Sequence, residues 1–328
     1  MQSEMPETFS LLADVGGTNA RFALFGKEKK IQNIVSLPTI DYPNLIDAIN
    51  YYLEQNGSPQ VTEGAIAMAC PIIGDRVKMT NHHWAFSIAE TKSQLGFDRL
   101  LFLNDFTALA MALPHLPQHE LHQFGGKTSI PGLPIALIGP GTGLGVSGLF
   151  PDGNGKWIPI AGEGGHVTAC ATNGREEAII NMCRRDYDHI SAERLISGMG
   201  LTNLYMAIAK LAGARPQSLN PSEVTRQGLA GTNSFCVEAL DVFCGLLGSV
   251  AGNLVLTLGA RGGLYIGGGI VPKLGSYFYS SSFRNRFESK GRYVAYLSPI
   301  PAYVITSQDP ALVGVTAALG YSLNSNIA

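Results

Sequence analysis

Two glycine-rich loops in this sequence have a composition that can bind phosphate. The first, Asp14-Val15-Gly16-Gly17-Thr18-Asn19, lies where two short apolar segments meet, residues 10–15 and 21–25, which we predict to form a β-hairpin. Glycines allow a turn that a Cβ would hinder, and the amides of such a turn can face an anion. Asp14 can hold a divalent cation through water. An ordinary hairpin needs only a two-residue turn, so the longer polar loop favours phosphate binding.

The second loop, residues 139–145, follows a predicted strand at 134–138. Gly143, Gly145 and Gly148 match the spacing of a dinucleotide-binding motif, but strand and turn residues follow in place of the helix that would face a pyrophosphate. Taken alone, this loop fits a turn and a phosphate site equally well. Together with the first loop, it suggests two hairpins that clamp one polyphosphate.

A third glycine run, Gly267-Gly268-Gly269, follows a predicted strand at 263–266 and precedes Pro272, which we predict to be the first residue of a helix. Three glycines let a flat ring such as adenine approach the backbone. A tight strand-to-helix turn explains the same residues equally well.

Asn104 and Asp105 follow the apolar strand predicted at 100–103. Ligands of α/β sheets lie at the carboxyl ends of strands, so Asp105 could accept a proton from a substrate hydroxyl while Asn104 orients a sugar. Capping of the helix predicted at 107–113 is an equally good explanation.

A carboxylate and an imidazole are brought together by Gly162-Glu163-Gly164-Gly165-His166. The Glu-x-x-His spacing suits a metal only on a helix, and the glycines do not favour one. We therefore interpret this segment as a loop that presents Glu163 and His166 to hydroxyl groups, although a structural histidine is also possible.

Two further polar segments have ordinary local explanations. Glu193 is predicted to open a helix, where its charge would favour the first turn. In Asn81-His82-His83-Trp84 the adjacent histidines point to different sides, so they are structural or line a cleft and do not form a metal pair.

The composition describes a globular chain. Its 328 residues suggest two domains, 45% are hydrophobic, and 15% are charged against roughly 25% in a typical protein. A net charge of −2 argues against a nucleic-acid binder. Five scattered cysteines indicate free thiols in a reducing compartment, and residues 1–14 show no signal peptide. Residues 242–260 carry no charge and could span a membrane, but their glycines and polar residues favour a buried helix.

Strand-like and helix-like segments alternate along the chain, which predicts an α/β fold. Further strands are predicted at 65–69 and 301–306, and helices at 87–95, 175–185, 201–211, 235–258 and 310–323. We expect a small α/β domain at residues 1–110, onto which a C-terminal helix at about 310–328 packs back. A large α/β domain at 111–309 would face it across a cleft.

These motifs together resemble the bacterial glucokinase family of the hexokinase and actin-like ATPase superfamily. The resemblance covers residues 12 to about 320, in family order, and rests on these stretches: Asp14 to Arg21, Ala69-Cys70-Pro71, Thr80-Asn81-His82 with Trp84, Asn104-Asp105-Phe106-Thr107-Ala108, Gly141-Thr142-Gly143-Leu144-Gly145, Gly162 to His166, Ser191-Ala192-Glu193-Arg194, and Gly267 to Pro272. Ala13, Thr168 and Cys170 depart from the family pattern, and the cysteine-histidine zinc motif of the related ROK family is absent.

The resemblance implies a two-domain actin-like ATPase fold, ribonuclease H-like in each half, and ATP-dependent phosphorylation of glucose at O6. It implies Asp105 as the catalytic base, with sugar contacts from Asn81, Asn104, Asp105, Glu163, His166 and Glu193. ATP would be held by Ala13, Asp14, Val15, Gly16, Gly17, Thr18, Asn19, Gly141, Thr142, Gly143, Gly145, Gly267, Gly268 and Gly269. Mg²⁺ would bind Asp14 through water. The family further implies a cytoplasmic homodimer. From the net charge and the buried-helix interpretation of residues 242–260, we expect it to bind neither nucleic acid nor membrane.

Two other functions compete with a hexose kinase. A sugar-sensing transcriptional regulator would need a helix-turn-helix, and about a dozen residues before the first strand are too few for one. An actin-like or chaperone-type ATPase would leave Glu163, His166 and Glu193 without a purpose.

Overall fold

The computed structural model describes residues 8–321, so the ends of the chain, including residues 322 and 323 of the last predicted helix, lie outside it. The strands are β1 (Thr8–Val15), β2 (Asn19–Phe25), β3 (Ile31–Pro38), β4 (Gln60–Met68), β5 (Arg76–Lys78), β6 (Ala85–Ser87), β7 (Arg99–Asn104), β8 (Leu121–Phe124), β9 (Ile135–Pro140), β10 (Leu144–Pro151), β11 (Trp157–Pro159), β12 (Gly263–Ile266) and β13 (Ala302–Ile305). The helices are α1 (Leu45–Gln55), α2 (Ile88–Leu95), α3 (Asp105–Ala112), α4 (Gly174–Cys183), α5 (Gly198–Leu211), α6 (Pro221–Leu229), α7 (Ser234–Leu258), α8 (Ile270–Leu274), α9 (Ser276–Ser280), α10 (Phe283–Glu288), α11 (Val294–Leu297) and α12 (Pro310–Ala318).

The chain divides into two compact units. Of the described residues, those up to Glu120 and those from Ser307 onward form unit 1, and Leu121–Thr306 form unit 2. Each unit contains one large mixed sheet flanked by helices, which is the α/β class that the alternating pattern predicts.

The sheet of unit 1 has the order β3-β2-β1-β4-β7. Its first three strands are antiparallel neighbours, whereas β1, β4 and β7 run parallel. Successive residues of β1 face opposite sides, so Leu11 joins one core with α1 and Leu12 joins another with α12. Both faces are therefore covered, and the loop between β1 and β2 lies at the carboxyl end of β1.

Helix α12 packs against α3, β1 and β4 inside unit 1. The approach is close, because a Cβ on Gly314 would overlap the carbonyl oxygen of Ala108. Since β7 leads directly into α3, this contact fixes the start of α3, where Asn104 and Asp105 lie.

The sheet of unit 2 has the order β11-β10-β9-β12-β13-β8. Strands β9, β10 and β11 form an antiparallel meander, and β12 and β13 run parallel to β9. Apart from the added strand β8, this repeats the connectivity of unit 1. The carboxyl ends of β9 and β12 consequently lie side by side, with residues 139–145 after one and 267–269 after the other.

Helix α7 is the central helix of unit 2. It is long and apolar enough to cross a membrane, but 67% of its most apolar window is buried within the protein. Helix α10 packs on its glycine face, where a Cβ on Gly248 would overlap the carbonyl oxygen of Phe283. The packing agrees with the buried core helix that the sequence favours over a membrane span.

A buried ion pair connects α4 to α10. Two nitrogens of Arg286 donate to the Glu176 carboxylate at 2.5 and 3.1 Å, and the Thr172 N–H donates to it at 2.8 Å. Burial raises the pKa of Glu176, but the bonds from Arg286 and Thr172 outweigh it, so that the pKa lies below the ordinary value. The carboxylate therefore stays charged at neutral pH and stabilises unit 2.

We predict that Glu176→Gln lowers the free energy of unfolding by about 3–5 kcal/mol, because it leaves the partly buried Arg286 without a counter-charge. The matched control is Glu238→Gln, which breaks an equally bidentate pair with Arg175 at 2.6 and 3.0 Å on the surface and should cost less than about 1 kcal/mol. Urea unfolding of the full chain measures both.

The sign of the pH dependence follows from the lowered pKa of Glu176. The stabilisation is present above the ordinary pKa of 4.5 and is lost as the pH falls through the lower folded-state value. The difference between the wild type and Glu176→Gln should therefore shrink on acidification. If Glu176→Gln and Glu238→Gln lowered the free energy of unfolding equally at pH 7, the result would contradict the role of burial.

Candidate functional site

The loop between β1 and β2 is a short closed turn. Its ends are joined by a hydrogen bond from the Gly16 N–H to the Asn19 carbonyl at 2.9 Å. The residue Thr39 holds the loop from outside, since its N–H donates to the Thr18 carbonyl and its hydroxyl donates to the Gly17 carbonyl, both at 3.0 Å. The strands on both sides confirm the predicted hairpin.

Asp14 lies at the base of this loop beside one cation and one further carboxylate. Arg21 is 3.8 Å from Asp14 and 3.5 Å from Asp309. Burial raises the pKa of Asp14, Arg21 lowers it, Asp309 raises it again, and the net shift is upward. Carboxylate oxygens are the ligands that a hard cation prefers. Asp309 was not among the residues singled out from the sequence, although an aspartate before Pro310 is a recognisable helix start.

Asn104 and Asp105 occupy the junction of β7 and α3. The Asn104 side chain accepts hydrogen bonds from the N–H groups of Phe106 and Thr107 at 2.9 and 3.2 Å, and so caps the helix. Its amide nitrogen donates to the Cys70 carbonyl at 3.4 Å. Asp105 is half-buried and accepts from the Phe106 N–H at 2.9 Å through one oxygen. The capping role is thus present, and it fixes the backbone that carries the Asp105 carboxylate.

Asn81 lies beside the first loop within unit 1. A Cβ on Gly17 would meet the Asn81 side chain and carbonyl at 3.2 Å, so the loop and the turn between β5 and β6 touch. In this turn both ring nitrogens of His82 are buried and lack a hydrogen-bond partner among residues 8–321. Burial and the neighbouring His83 lower the pKa of His82. Its ring packs on those of His83 and Trp84, as expected of structural histidines.

The loop of residues 139–145 is held on unit 2 by three hydrogen bonds. The Gly141 N–H donates to the Gly143 carbonyl at 2.8 Å, and the Gly198 N–H donates to the Gly141 carbonyl at 2.9 Å. The Leu144 N–H donates to Oε2 of Glu193 at 2.8 Å. Strand β10 follows the loop directly, so the predicted absence of a dinucleotide-type helix at this point is confirmed.

Glu163, His166 and Glu193 come together next to this loop. His166 lies 4.0 Å from a carboxylate oxygen of each glutamate, through Nε2 to Glu163 and through Nδ1 to Glu193. Residues Gly164–His166 form a single 3-10 turn that packs on β10. The three polar side chains are partly exposed and present two carboxylates and one imidazole on one side of unit 2.

The prediction that Glu193 opens a helix is wrong. Helix α5 begins at Gly198, and its cap is Ser197, whose hydroxyl accepts from the Gly200 N–H at 3.0 Å. Glu193 lies in the preceding turn, where its N–H donates to the Gly165 carbonyl at 2.9 Å. Its charge therefore serves the neighbouring loops and not the first turn of α5.

The run Gly267 to Gly269 forms the turn between β12 and α8. Gly268 has φ +79°, and a Cβ there would overlap the Pro140 carbonyl oxygen, so this glycine is required by the backbone. The Gly267 N–H donates to the Ile138 carbonyl at 2.9 Å, which ties the turn to β9. Helix α8 begins at Ile270, so Pro272 is its third residue and not its first as predicted.

Comparison with known proteins gives a consistent result. The family model described as Glucokinase matches residues 11–321. The glucokinase of Chromobacterium violaceum is 54% identical over 320 residues, which cover 97% of this chain and 92% of that protein.

Solved structures agree with the sequence relatives. The crystal structure of glucokinase from an Antarctic psychrotroph superposes with a TM-score of 0.86 at 33% identity and covers 97% of this chain and 100% of that one. Balamuthia mandrillaris glucokinase in complex with glucose has a TM-score of 0.81 at 19% identity, covering 98% of this chain and 96% of that one. The predicted two-domain actin-like kinase fold is confirmed.

We predict that Gly268→Ala destabilises the protein by about 1–3 kcal/mol, because the methyl group would overlap a carbonyl oxygen at a left-handed φ. Gly269→Ala is the matched control, since nothing lies within 4 Å of its Cβ and φ is −87°. It should keep the thermal midpoint of the wild type. Thermal unfolding of the full chain tests this pair, and a similar loss for both variants would contradict it.

Proposed function

Because the chain belongs to the glucokinase family, we propose that it transfers the γ-phosphoryl group of ATP to O6 of glucose, giving glucose 6-phosphate and ADP. This is the first step of glycolytic glucose use. The observation that carries the proposal is the group of Glu163, His166 and Glu193 beside a glycine loop in unit 2. A neutral substrate rich in hydroxyl groups suits carboxylates and imidazole, whereas an anionic substrate would need arginines.

Each unit contains polar groups that suit sugar hydroxyl groups. In unit 2 these are Glu163, His166 and Glu193, which can accept from and donate to hydroxyl groups. In unit 1 they are Asn81, Asn104 and Asp105. Asn104 already uses its side-chain oxygen to cap α3, so its amide nitrogen is the group that can turn from the Cys70 carbonyl, 3.4 Å away, to a sugar oxygen.

Asp105 is the general base. Its carboxylate accepts the O6 proton as the oxygen attacks the γ-phosphorus, and the bond to the β-phosphate oxygen breaks. One Asp105 oxygen accepts from the Phe106 N–H, which fixes the carboxylate at the start of α3.

The nucleotide is held by backbone amides. Residues Ala13 to Asn19 and the loop of Gly141, Thr142, Gly143 and Gly145 cradle the phosphates, since glycine turns expose N–H groups to anions. Gly267 to Gly269 pack near the adenosine. The close contact of Gly268 with Pro140 places the last two segments together within unit 2.

Asp14 is the residue that would hold Mg²⁺, through water. A site of one or two carboxylates completed by substrate phosphates and water is typical of this ion, and Asp14, with Asp309 beyond Arg21, provides such a donor set. When bound, the ion neutralises the charge that builds up on the phosphate oxygens. Chelation by EDTA should abolish turnover, and added Mg²⁺ should restore it. We further propose that the protein acts in the cytoplasm as a homodimer, which sedimentation velocity tests.

We predict that Asp105→Asn lowers kcat by about 10²–10⁴-fold, because the amide cannot accept the O6 proton. Glucose binding, measured by calorimetry, should survive, since the size of the side chain and its acceptor for the Phe106 N–H remain. The matched change Glu163→Gln should mainly raise KM for glucose. Loss of glucose binding in Asp105→Asn with unchanged residual turnover would remove Asp105 from the role of base.

A coupled assay of ADP release tests the reaction itself. We expect release from ATP to depend on glucose, because closure of an active site around the sugar excludes water from ATP. Mannose, fructose and N-acetylated hexosamines define the specificity in the same assay. ADP release that is independent of any sugar would favour a plain ATPase and contradict the proposal.

A further inference from the structure

Glu193 is the point at which three segments of unit 2 meet. Its N–H donates to the Gly165 carbonyl at 2.9 Å, which connects it to the loop of Glu163 and His166. Its carbonyl accepts from the Ser197 hydroxyl at 2.7 Å, which connects it to the cap of α5. Its side chain accepts from the Leu144 N–H at 2.8 Å, which connects it to the glycine loop.

The two oxygens of the Glu193 carboxylate face different partners. Oε2 accepts a hydrogen bond from the N–H of Leu144, the residue at which the loop passes into β10. Oε1 faces His166 at 4.0 Å, on the side where the sugar hydroxyl groups are proposed to bind. One carboxylate thus spans the distance between the two proposed ligand positions in unit 2.

The surroundings allow the carboxylate to move but not the backbone that carries it. Residues 190–192 and 195–197 are buried, whereas the Glu193 side chain is 32% exposed. The hydrogen bond between Oε2 and the Leu144 N–H therefore depends on the side-chain torsions of Glu193. A ligand that fixes these torsions also fixes the glycine loop.

We propose that Glu193 couples the two binding events: a sugar hydroxyl bound to Oε1 locks Oε2 onto the Leu144 N–H and so orders the glycine loop for the nucleotide. The inference rests on the proposed function, because it assumes that glucose and ATP are the ligands. Ordering by the first ligand reduces the entropy that the second must lose, so each should tighten the binding of the other by the same factor. Couplings of this kind are on the order of 5–150-fold.

A single methyl group can break the link without removing any group that contacts the sugar. A Cβ on Gly143 would overlap Oε2 of Glu193, and the flexible end of that side chain would have to leave the Leu144 N–H. The matched control is Gly141→Ala in the same loop, because nothing lies within 4 Å of its Cβ. Neither glycine has a positive φ, so the backbone tolerates alanine at both positions.

A second variant guards against misfolding of the loop. Glu193→Ala removes both carboxylate oxygens, so the side chain can hold neither the Leu144 N–H nor a sugar hydroxyl. This variant should therefore lose the coupling. Thermal unfolding confirms that each variant is folded before binding is measured.

The experiment measures the Kd for the magnesium complex of the non-hydrolysable analogue AMP-PNP by calorimetry. Each Kd is measured once without glucose and once with saturating glucose. In the wild type the ratio of the two Kd values should be on the order of 5–150, and the reciprocal titration of glucose should give the same ratio. Gly143→Ala and Glu193→Ala should bring the ratio to within about twofold of one, whereas Gly141→Ala should keep the wild-type ratio even if its nucleotide affinity changes.

The outcomes separate the coupling from the activity. If the wild type phosphorylates glucose but its ratio of nucleotide Kd values is one, the coupling alone is overturned. The coupling is also overturned if Gly143→Ala keeps the wild-type ratio of Kd values, or if Gly141→Ala lowers this ratio as much as Gly143→Ala does. A wild type that neither binds nor phosphorylates glucose would overturn the proposed function, and the coupling with it.

Discussion

Close backbone packing at the start of β10 is the constraint on which the site in unit 2 depends. A Cβ on Gly165 would overlap the carbonyl oxygen of Leu144, and a Cβ on Gly164 would lie 2.7 Å from Val146. The Glu163 and His166 loop can therefore rest on β10 only because these positions are glycine. On the other side of the same residue, the Leu144 N–H is held by Glu193. Leu144 thus fixes the loop that carries Glu163 and His166, while Glu193 fixes Leu144.

In unit 1 the carboxylates that we propose to act lie at the end of a strand or directly after one. Asp14 is part of β1 and is half-buried, and the loss of solvent around its carboxylate raises its pKa. Asp105 is the first residue of α3, where unpaired N–H groups favour a negative charge. Asn104 caps this helix and thereby holds Asp105 in place. A stabilising interaction and a proposed catalytic group consequently share two adjacent residues.

The parts of the structure that the sequence predicts are those with local causes. The β1–β2 hairpin follows from two apolar runs around a glycine turn, and α7 follows from its long apolar pattern. Helix α6 was not predicted, although Asn220 and Glu223 form a capping box around Pro221, a signal that was available. Glu193 was misplaced because its partner, Leu144, is 49 residues away, and no local pattern distinguishes the Ser191 turn from the true cap at Ser197.

The repeated sheet topology shows why the two loops can contribute different chemistry from equivalent positions. Each joins the first two strands of its sheet, β1 to β2 and β9 to β10, and each is closed by a backbone bond across the turn. The first loop contains its own carboxylate, Asp14, whereas the second contains none and accepts one from Glu193, outside the hairpin. Asp14, which belongs to the hairpin, can bind only a ligand that reaches its own loop. Glu193, which lies on a separate segment, can hydrogen-bond to the loop itself through one oxygen, and its other oxygen can bind a second ligand.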